Sequence, residues 1–233
     1  FADMIDYLGS QRSVQSIVMY VENITNIRNF MSAARAVSRI KPIIVLKSGR
    51  SRAGARAAAS HTGAMAGEDA FYDTAFQRAG ILRVNEFEEL FDCAEYLAKQ
   101  PRPKGCGLAI ITNAGGPGVM AADALASFGL EPAQMTQGTL DRLDAILPDN
   151  WSRGNPVDIL GDTPASTYVE TVKICAADPD TDALLLICSP AGTVDTRALA
   201  EHLLPCLREV SCPVFTAWIG GDNVAGARQV FNQ

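Results

Sequence analysis

The sequence predicts an α/β protein of two domains, each a doubly wound parallel sheet flanked by helices. Three features carry this. Short apolar runs of strand length alternate with amphipathic stretches of helix length along the whole chain, the pattern of strand–helix–strand units. A polar break with two prolines, Gln100-Pro101-Arg102-Pro103-Lys104-Gly105, interrupts that alternation and divides the chain into domains 1–100 and 105–233. Beyond the break a new strand runs through a glycine turn at 113–118 directly into a helix, as parallel sheets do at their ligand-binding edge.

The elements follow in order. Residues 2–8 read as a helix stopped by Gly9, 16–21 as a buried strand, and 26–38 as a helix with Ile27, Phe30, Met31, Ala34 and Val37 along one side. A strand at 42–46 is followed by a long loop, 47–67, of small residues. A helix at 68–79, a strand at 81–84 and a helix at 87–99 complete the first half. The second half reads as strand 107–112, helix 119–128, short helix 140–147 and an irregular link at 151–164. Helix 167–177, strand 183–188, helix 197–210, strand 213–218 and helix 223–231 follow. The first half opens inside a helix and lacks a leading strand, so truncation at its N-terminus is expected.

Composition limits the function classes. The chain has 233 residues, 48% hydrophobic and 20% charged, with a net charge of −6, which argues against general nucleic-acid binding. No apolar run reaches the length of a membrane span, and no targeting segment is visible. The six cysteines, Cys93, Cys106, Cys175, Cys188, Cys206 and Cys212, form no Cys-x-x-Cys pair. They read as reduced core residues of a cytoplasmic protein, with no metal site.

Three constellations could carry chemistry. The 47–67 stretch contains Lys47, Arg50, Arg52 and Arg56, which favour a nearby anion. It also holds His61, a side chain able to act as a nucleophile near neutral pH. A histidine in such a stretch reads either as a surface residue or as a phosphoryl carrier. The turn Asn113-Ala114-Gly115-Gly116-Pro117-Gly118 aims free backbone N–H groups and a positive helix end at whatever lies above the strand. It is neither a dinucleotide fingerprint nor a nucleotide-triphosphate loop, and a tight glycine turn would read the same way. Glu22 ends the strand 16–21 and either fixes an imidazole tautomer or serves as a solvated strand-end acid. Asp158, in Asn155-Pro156-Val157-Asp158, is a loop acid of the same kind.

Three motifs together resemble a known family. They are Ala57-Ala58-Ala59-Ser60-His61-Thr62-Gly63-Ala64-Met65-Ala66-Gly67, Tyr20-Val21-Glu22-Asn23-Ile24, and Ile110-Ile111-Thr112-Asn113-Ala114-Gly115-Gly116-Pro117-Gly118-Val119. In this order they look like the nucleoside-diphosphate-forming acyl-CoA synthetases, relatives of succinyl-CoA synthetase, and the likeness spans essentially the whole chain. It implies two flavodoxin-like ligase domains, the first carrying a phosphohistidine loop and the second an anion-binding glycine turn. The implied reaction interconverts acyl-CoA, phosphate and ADP with acid, CoA and ATP through an acyl phosphate and a phosphohistidine. His61 matches the phosphorylated residue and Glu22 the acid bonded to it. Asn113, Gly115, Gly116 and Gly118, with Ser60 and Gly63 beside the histidine, match phosphate-binding positions.

The same resemblance implies a CoA-binding domain and an ATP-grasp domain, in the same polypeptide or a partner subunit, that lie outside this chain. CoA, ATP or ADP and Mg²⁺ are therefore expected in the full-length enzyme, with none held tightly by this fragment and no turnover by it alone. Acyl-CoA is the expected substrate, nucleic acid and membranes are not expected partners, and self-association is left open. An alternative of another class is a regulatory acyl-CoA-sensing module of a protein lysine acetyltransferase. A flavin-binding domain is a third, for which the 113–118 turn lacks the hydroxyl-rich phosphate loop.

Overall fold

The computed structural model describes residues 1–62, 69–190, 192 and 194–232, with side chains there except those of Arg52, Ala59, His61 and Thr62. The chain divides into two compact units, Phe1–Gln100 and Pro101–Gln233.

The first unit has a three-stranded, all-parallel sheet, β1 (Ile17–Val21), β2 (Ile43–Lys47) and β3 (Leu82–Val84), in that order. All five residues of β2 are buried, as a central parallel strand covered on both faces requires. On one face Ile17, Met19, Val21, Ile43 and Val45 pack against three helices, α1 (Ala2–Ser10), α2 (Ile27–Ser38) and α4 (Asp69–Ala79). Phe30 and Val37 of α2 and Tyr72 and Phe76 of α4 supply the bulk. On the other face Ile44, Leu46 and Val84 meet Leu90 of α5 (Phe87–Lys99). A β-carbon at Gly9 would lie 2.5 Å from a Val37 methyl, so the close approach of α1 to α2 requires glycine there.

One expectation is overturned here. The stretch read as a long loop contains a helix, α3 (Arg52–Thr62). Alanine has the best helix propensity of any residue, and this stretch is rich in it. Ser51 caps the helix, its hydroxyl accepting from the Gly54 N–H at 3.0 Å. Gly49, at φ +71°, turns the chain out of β2 and into that cap.

The second unit has four parallel strands ordered β5-β4-β6-β7: β4 (Leu108–Thr112), β5 (Val157–Asp158), β6 (Ala183–Cys188) and β7 (Val214–Trp218). The chain steps from β4 outward to β5 and then returns past β4 to β6. A doubly wound sheet reverses in this way, and its crevice lies at the carboxyl ends of β4 and β6. Flanking helices are α6 (Gly115–Ser127), α7 (Gln137–Asp144), α8 (Ala165–Ala176), α9 (Thr196–Glu209) and α10 (Ala225–Phe231). The core joins Ile111, Val157, Leu184 and Leu186 to Leu143, Tyr168, Val172, Leu203 and Trp218.

β5 lies inside the segment expected to be an irregular link. At two residues it has no readable periodicity, and the side chain of Asn155 does much of the edge pairing. Its carboxamide accepts from the Ile110 N–H at 2.9 Å and donates to the carbonyls of Leu108 and Ala133 at 2.8 and 2.9 Å. The chain then continues the ladder through Ile111↔Val157 and Thr112↔Asp158. Two helices also start earlier than expected, α6 at Gly115 and α7 at Gln137. α7 is capped by Thr136, whose side chain accepts from Thr139 N–H. The expected helix at 223–231 begins as a 3₁₀ turn, Gly221–Val224, before α10.

Of the cysteines, Cys175, Cys188 and Cys206 are buried and Cys93 and Cys212 half-buried, whereas Cys106 is exposed. Burial pushes the Cys175 and Cys188 thiols up to about 12 and about 11, so both are protonated near neutral pH.

Candidate functional site

In the first unit the chemistry-bearing residues gather where β1 and β2 end. Glu22 follows β1 directly and is half-buried. Lys47 is the last residue of β2 and pairs in register with Val21. Its side chain is 1% exposed, which corrects the expectation of a loop cation open to an anion. Central-strand geometry turns it inward. Its ammonium donates to the Ser48 carbonyl and lies 4.5 Å from the centroid of the Tyr72 ring, a cation–π arrangement. Burial lowers the Lys47 pKa from its ordinary value; the Asp69 and Glu22 carboxylates oppose that and Arg83 adds to it.

A second layer holds the first. The Tyr72 hydroxyl donates to the Asn23 side chain at 2.8 Å. Arg83 of β3 grips both Asp69 oxygens, at 2.7 and 2.9 Å, and also reaches Asp73. Burial disfavours the Arg83 charge, but these two carboxylates outweigh it and raise its pKa. Asn23, Asp69, Tyr72 and Arg83 escaped the sequence reading. Only Asp69 carried a local signal, an acid in the first turn of a helix.

His61 stands in the last turn of α3; its side chain, like all of Gly63, lies outside the described residues. The Ser60 hydroxyl is exposed and donates back to the Ala57 carbonyl at 2.7 Å, a bond within its own helix. Arg50 reaches Asp69 at 3.9 Å, and Arg56 is exposed.

In the second unit the glycine turn is the first turn of α6. Pro117 is accommodated because first-turn N–H groups have no intrahelical acceptor. The three glycines differ in what surrounds them. A β-carbon on Gly116 would meet nothing within 4 Å, and the residue is exposed. One on Gly115 would lie 3.0 Å from a carboxylate oxygen of Asp158, and one on Gly118 only 2.9 Å from the Thr112 methyl and 3.3 Å from Pro156. Gly118 thus lets the helix pack closely on β4 and β5, and its N–H goes to the Ala114 carbonyl at 3.4 Å.

Asn113 is nearly enclosed, at 7% exposed, and its carboxamide is committed to the crevice itself. It donates to the Ser189 carbonyl and accepts from the Ser189 N–H, both at 2.8 Å, tying the end of β4 to the end of β6. Asp158 accepts from the Leu160 N–H at 3.0 Å, and its other carboxylate oxygen lies beside Gly115 at the positive end of α6. Gly115 and Gly116 are exposed in the first turn of α6, where N–H groups have no intrahelical acceptor, and the Asp158 carboxylate lies beside Gly115. Among the described residues no group of three or more His, Cys, Asp or Glu is placed to hold a metal, and no helix is long and apolar enough to cross a membrane.

Two family descriptions match in tandem. Residues 1–97 match the succinyl-CoA ligase like flavodoxin domain, and residues 108–204 match the ligase-CoA domain. The chain belongs to the NDP-forming acyl-CoA synthetase family. It is 38% identical to the alpha subunit of an ADP-forming acetate–CoA ligase II from Pyrococcus furiosus, over 95% of this chain and 49% of that one. A second family member, ADP-forming acetate–CoA ligase I of Archaeoglobus fulgidus, is 38% identical over 98% of this chain and 32% of its own length. Among solved structures the chain superposes on the dinucleotide forming acetyl-coenzyme A synthetase 1 of Ca. Korarchaeum cryptofilum, determined with phosphate and ADP. That match has a TM-score of 0.92 and 34% identity, covering 99% of this chain and 51% of that one. The chain spans about half or less of the length of these relatives, and the flavodoxin-like architecture expected of the family is the one described above.

Proposed function

We propose that this chain is the part of an NDP-forming acyl-CoA synthetase that receives and passes on the phosphoryl group. Acyl-CoA and phosphate give acyl phosphate and free CoA. An imidazole nitrogen of His61 then attacks phosphorus, the bond from phosphorus to the acyl oxygen breaks, and the carboxylic acid leaves as its carboxylate. ADP finally takes the phosphoryl group from His61 as ATP. All steps reverse.

Each residue has a defined task in this reading. Glu22 accepts a hydrogen bond from one imidazole nitrogen, which leaves the other unprotonated for attack and supports the positive ring once it is phosphorylated. The Gly115 and Gly116 amides bind phosphoryl oxygens at the end of α6, where a helix terminus contributes about 0.3–2 kcal/mol toward an anion. Gly118 and Asn113 act indirectly, one by letting the helix approach the sheet and the other by closing the crevice end. Ser60 and Gly63 flank the phosphorylated ring. CoA and nucleotide with Mg²⁺ are bound by CoA-binding and ATP-grasp domains of the same polypeptide or of a partner subunit.

The observation that carries the reading is the match along the whole chain to acetate–CoA ligases, and the sequence contains His61, Glu22 and the glycine turn that the reading needs. The test is incubation of the full-length protein with labelled ATP and Mg²⁺, followed by mapping of acid-labile phosphate by mass spectrometry. The expected label is on His61, and His61→Asn abolishes both label and ligase activity. Label retained by His61→Asn refutes the assignment.

A further inference from the structure

We propose that Lys47 is a positioning residue for phosphoryl uptake, its buried ammonium joining the root of α3 to the root of α4 and so setting where the helix that bears His61 leaves the sheet. This rests on the phosphohistidine reading above and assigns a role to a group that reading leaves unused.

The geometry is that of a clasp. Ser48 is held from both sides, its N–H donating to the Val21 carbonyl at 3.0 Å and its carbonyl accepting from the Lys47 ammonium. Gly49 and the Ser51 cap follow at once, so the direction of α3 is decided at Ser48. A β-carbon on Gly54 would lie 3.3 Å from the Gly49 backbone, so the first turn of α3 rests directly on this bend. On the α4 side the same ammonium sits over the Tyr72 ring, and Tyr72 is tied to Asn23, next to Glu22. Asp69, held by Arg83, faces Arg50 from the root of α3 at 3.9 Å.

Packing does not account for the charge. Lysine is almost never this buried unless it is paired, and a methionine would fill similar space without desolvating an ammonium. What a methionine cannot do is grip the Ser48 carbonyl and the π face of Tyr72 together. An ångström of drift in a group that must attack phosphorus can cost about 100-fold in rate, and α3 would transmit such drift to its last turn.

The test is Lys47→Met in the full-length protein. Asp69 keeps its bidentate Arg83, so of the two carboxylates near Lys47 only Glu22 loses a countercharge. Single-turnover incorporation of acid-labile phosphate from labelled ATP is expected to slow by about 10-fold or more, with half-saturation by ATP changed less than about twofold. Lys47→Arg, which keeps the charge and stacks on Tyr72, restores most of the rate. Hydrogen exchange across residues 52–62 speeds up in Lys47→Met. If Lys47→Met does not fold, Tyr72→Leu, which removes the ring beneath the ammonium, is read for the same slowing. Wild-type incorporation in these variants, or Lys47→Arg as slow as Lys47→Met, overturns the proposal. Failure of the phosphohistidine reading looks different, as label retained by His61→Asn. In that event unchanged exchange over 52–62 in Lys47→Met still overturns the clasp.

Discussion

Asn155→Ala is the most direct probe of how the second unit presents its crevice. In the native sheet the Asn155 carboxamide stands in for a neighbouring strand along the lower part of β4. Removing it strips the Ile110 N–H, at a fully buried residue, of its acceptor, and an orphaned buried donor costs about 1–3 kcal/mol. The Ala133 carbonyl loses its donor, worth about 1 kcal/mol. The Leu108 carbonyl loses little, because the Ala133 N–H still reaches it at 3.0 Å. The sum is about 2–4 kcal/mol. With an unfolding entropy of about 2.1 cal/mol/K per residue, a unit spanning Pro101–Gln233 loses about 3.5 °C per kcal/mol, so Tm should fall by about 7–14 °C. Urea unfolding followed by far-UV circular dichroism measures this, with the m-value unchanged. A loss under about 0.5 kcal/mol would show that water replaces the carboxamide without penalty, and the account of β5 as a partial strand completed by a side chain would be wrong.

Three further substitutions separate close packing from open space and fix a pH dependence. Gly118→Ala brings a β-carbon to 2.9 Å from the Thr112 methyl and is expected to destabilise by about 1–3 kcal/mol despite better helix propensity. Gly116→Ala meets nothing and should be neutral or stabilising by up to about 1 kcal/mol. The reverse order in thermal unfolding refutes the packing assignment. Asp178 is 4% exposed; burial raises its pKa, but hydrogen bonds from Thr139, the Asp180 N–H, and the Thr136 N–H and hydroxyl outweigh that and hold it below the usual carboxylate value. Its stabilising contribution is therefore present above the unfolded carboxylate pKa and is lost as pH falls through the lower folded value. Asp178→Asn should destabilise at pH 7 by about 1–3 kcal/mol and converge with wild type in strong acid. Equal offsets at pH 7 and in strong acid would exclude the ionised carboxylate as the cause.

Much of this molecule could be read from its residues in line. The wholly apolar 43–46 run signals a parallel strand covered on both faces, and the alternating helix faces supply its cover. The first compact unit ends at Gln100, in a polar stretch with two prolines. The histidine, acid and glycine-turn motifs mark the family before any coordinate is seen, and the family is the one the relatives share. These features are local: side-chain period, turn chemistry and motif order all lie within a few neighbouring residues.

What tertiary structure decided is set by partners far away in the chain. Small residues at 52–62 permit either a loose loop or a helix, and the Ser51 cap on a bend packed against Gly54 selects the helix. Lys47 reads as one more basic residue until Tyr72 and Asp69 return beside it. Asn113 looks like part of an anion loop until Ser189 claims both ends of its carboxamide, and β5 exists because β4 offers an edge that Asn155 begins to fill. The physical reason is common to all of them. A backbone group or a buried charge must find a partner once water is removed, and which partner it finds depends on which strand ends the fold brings together.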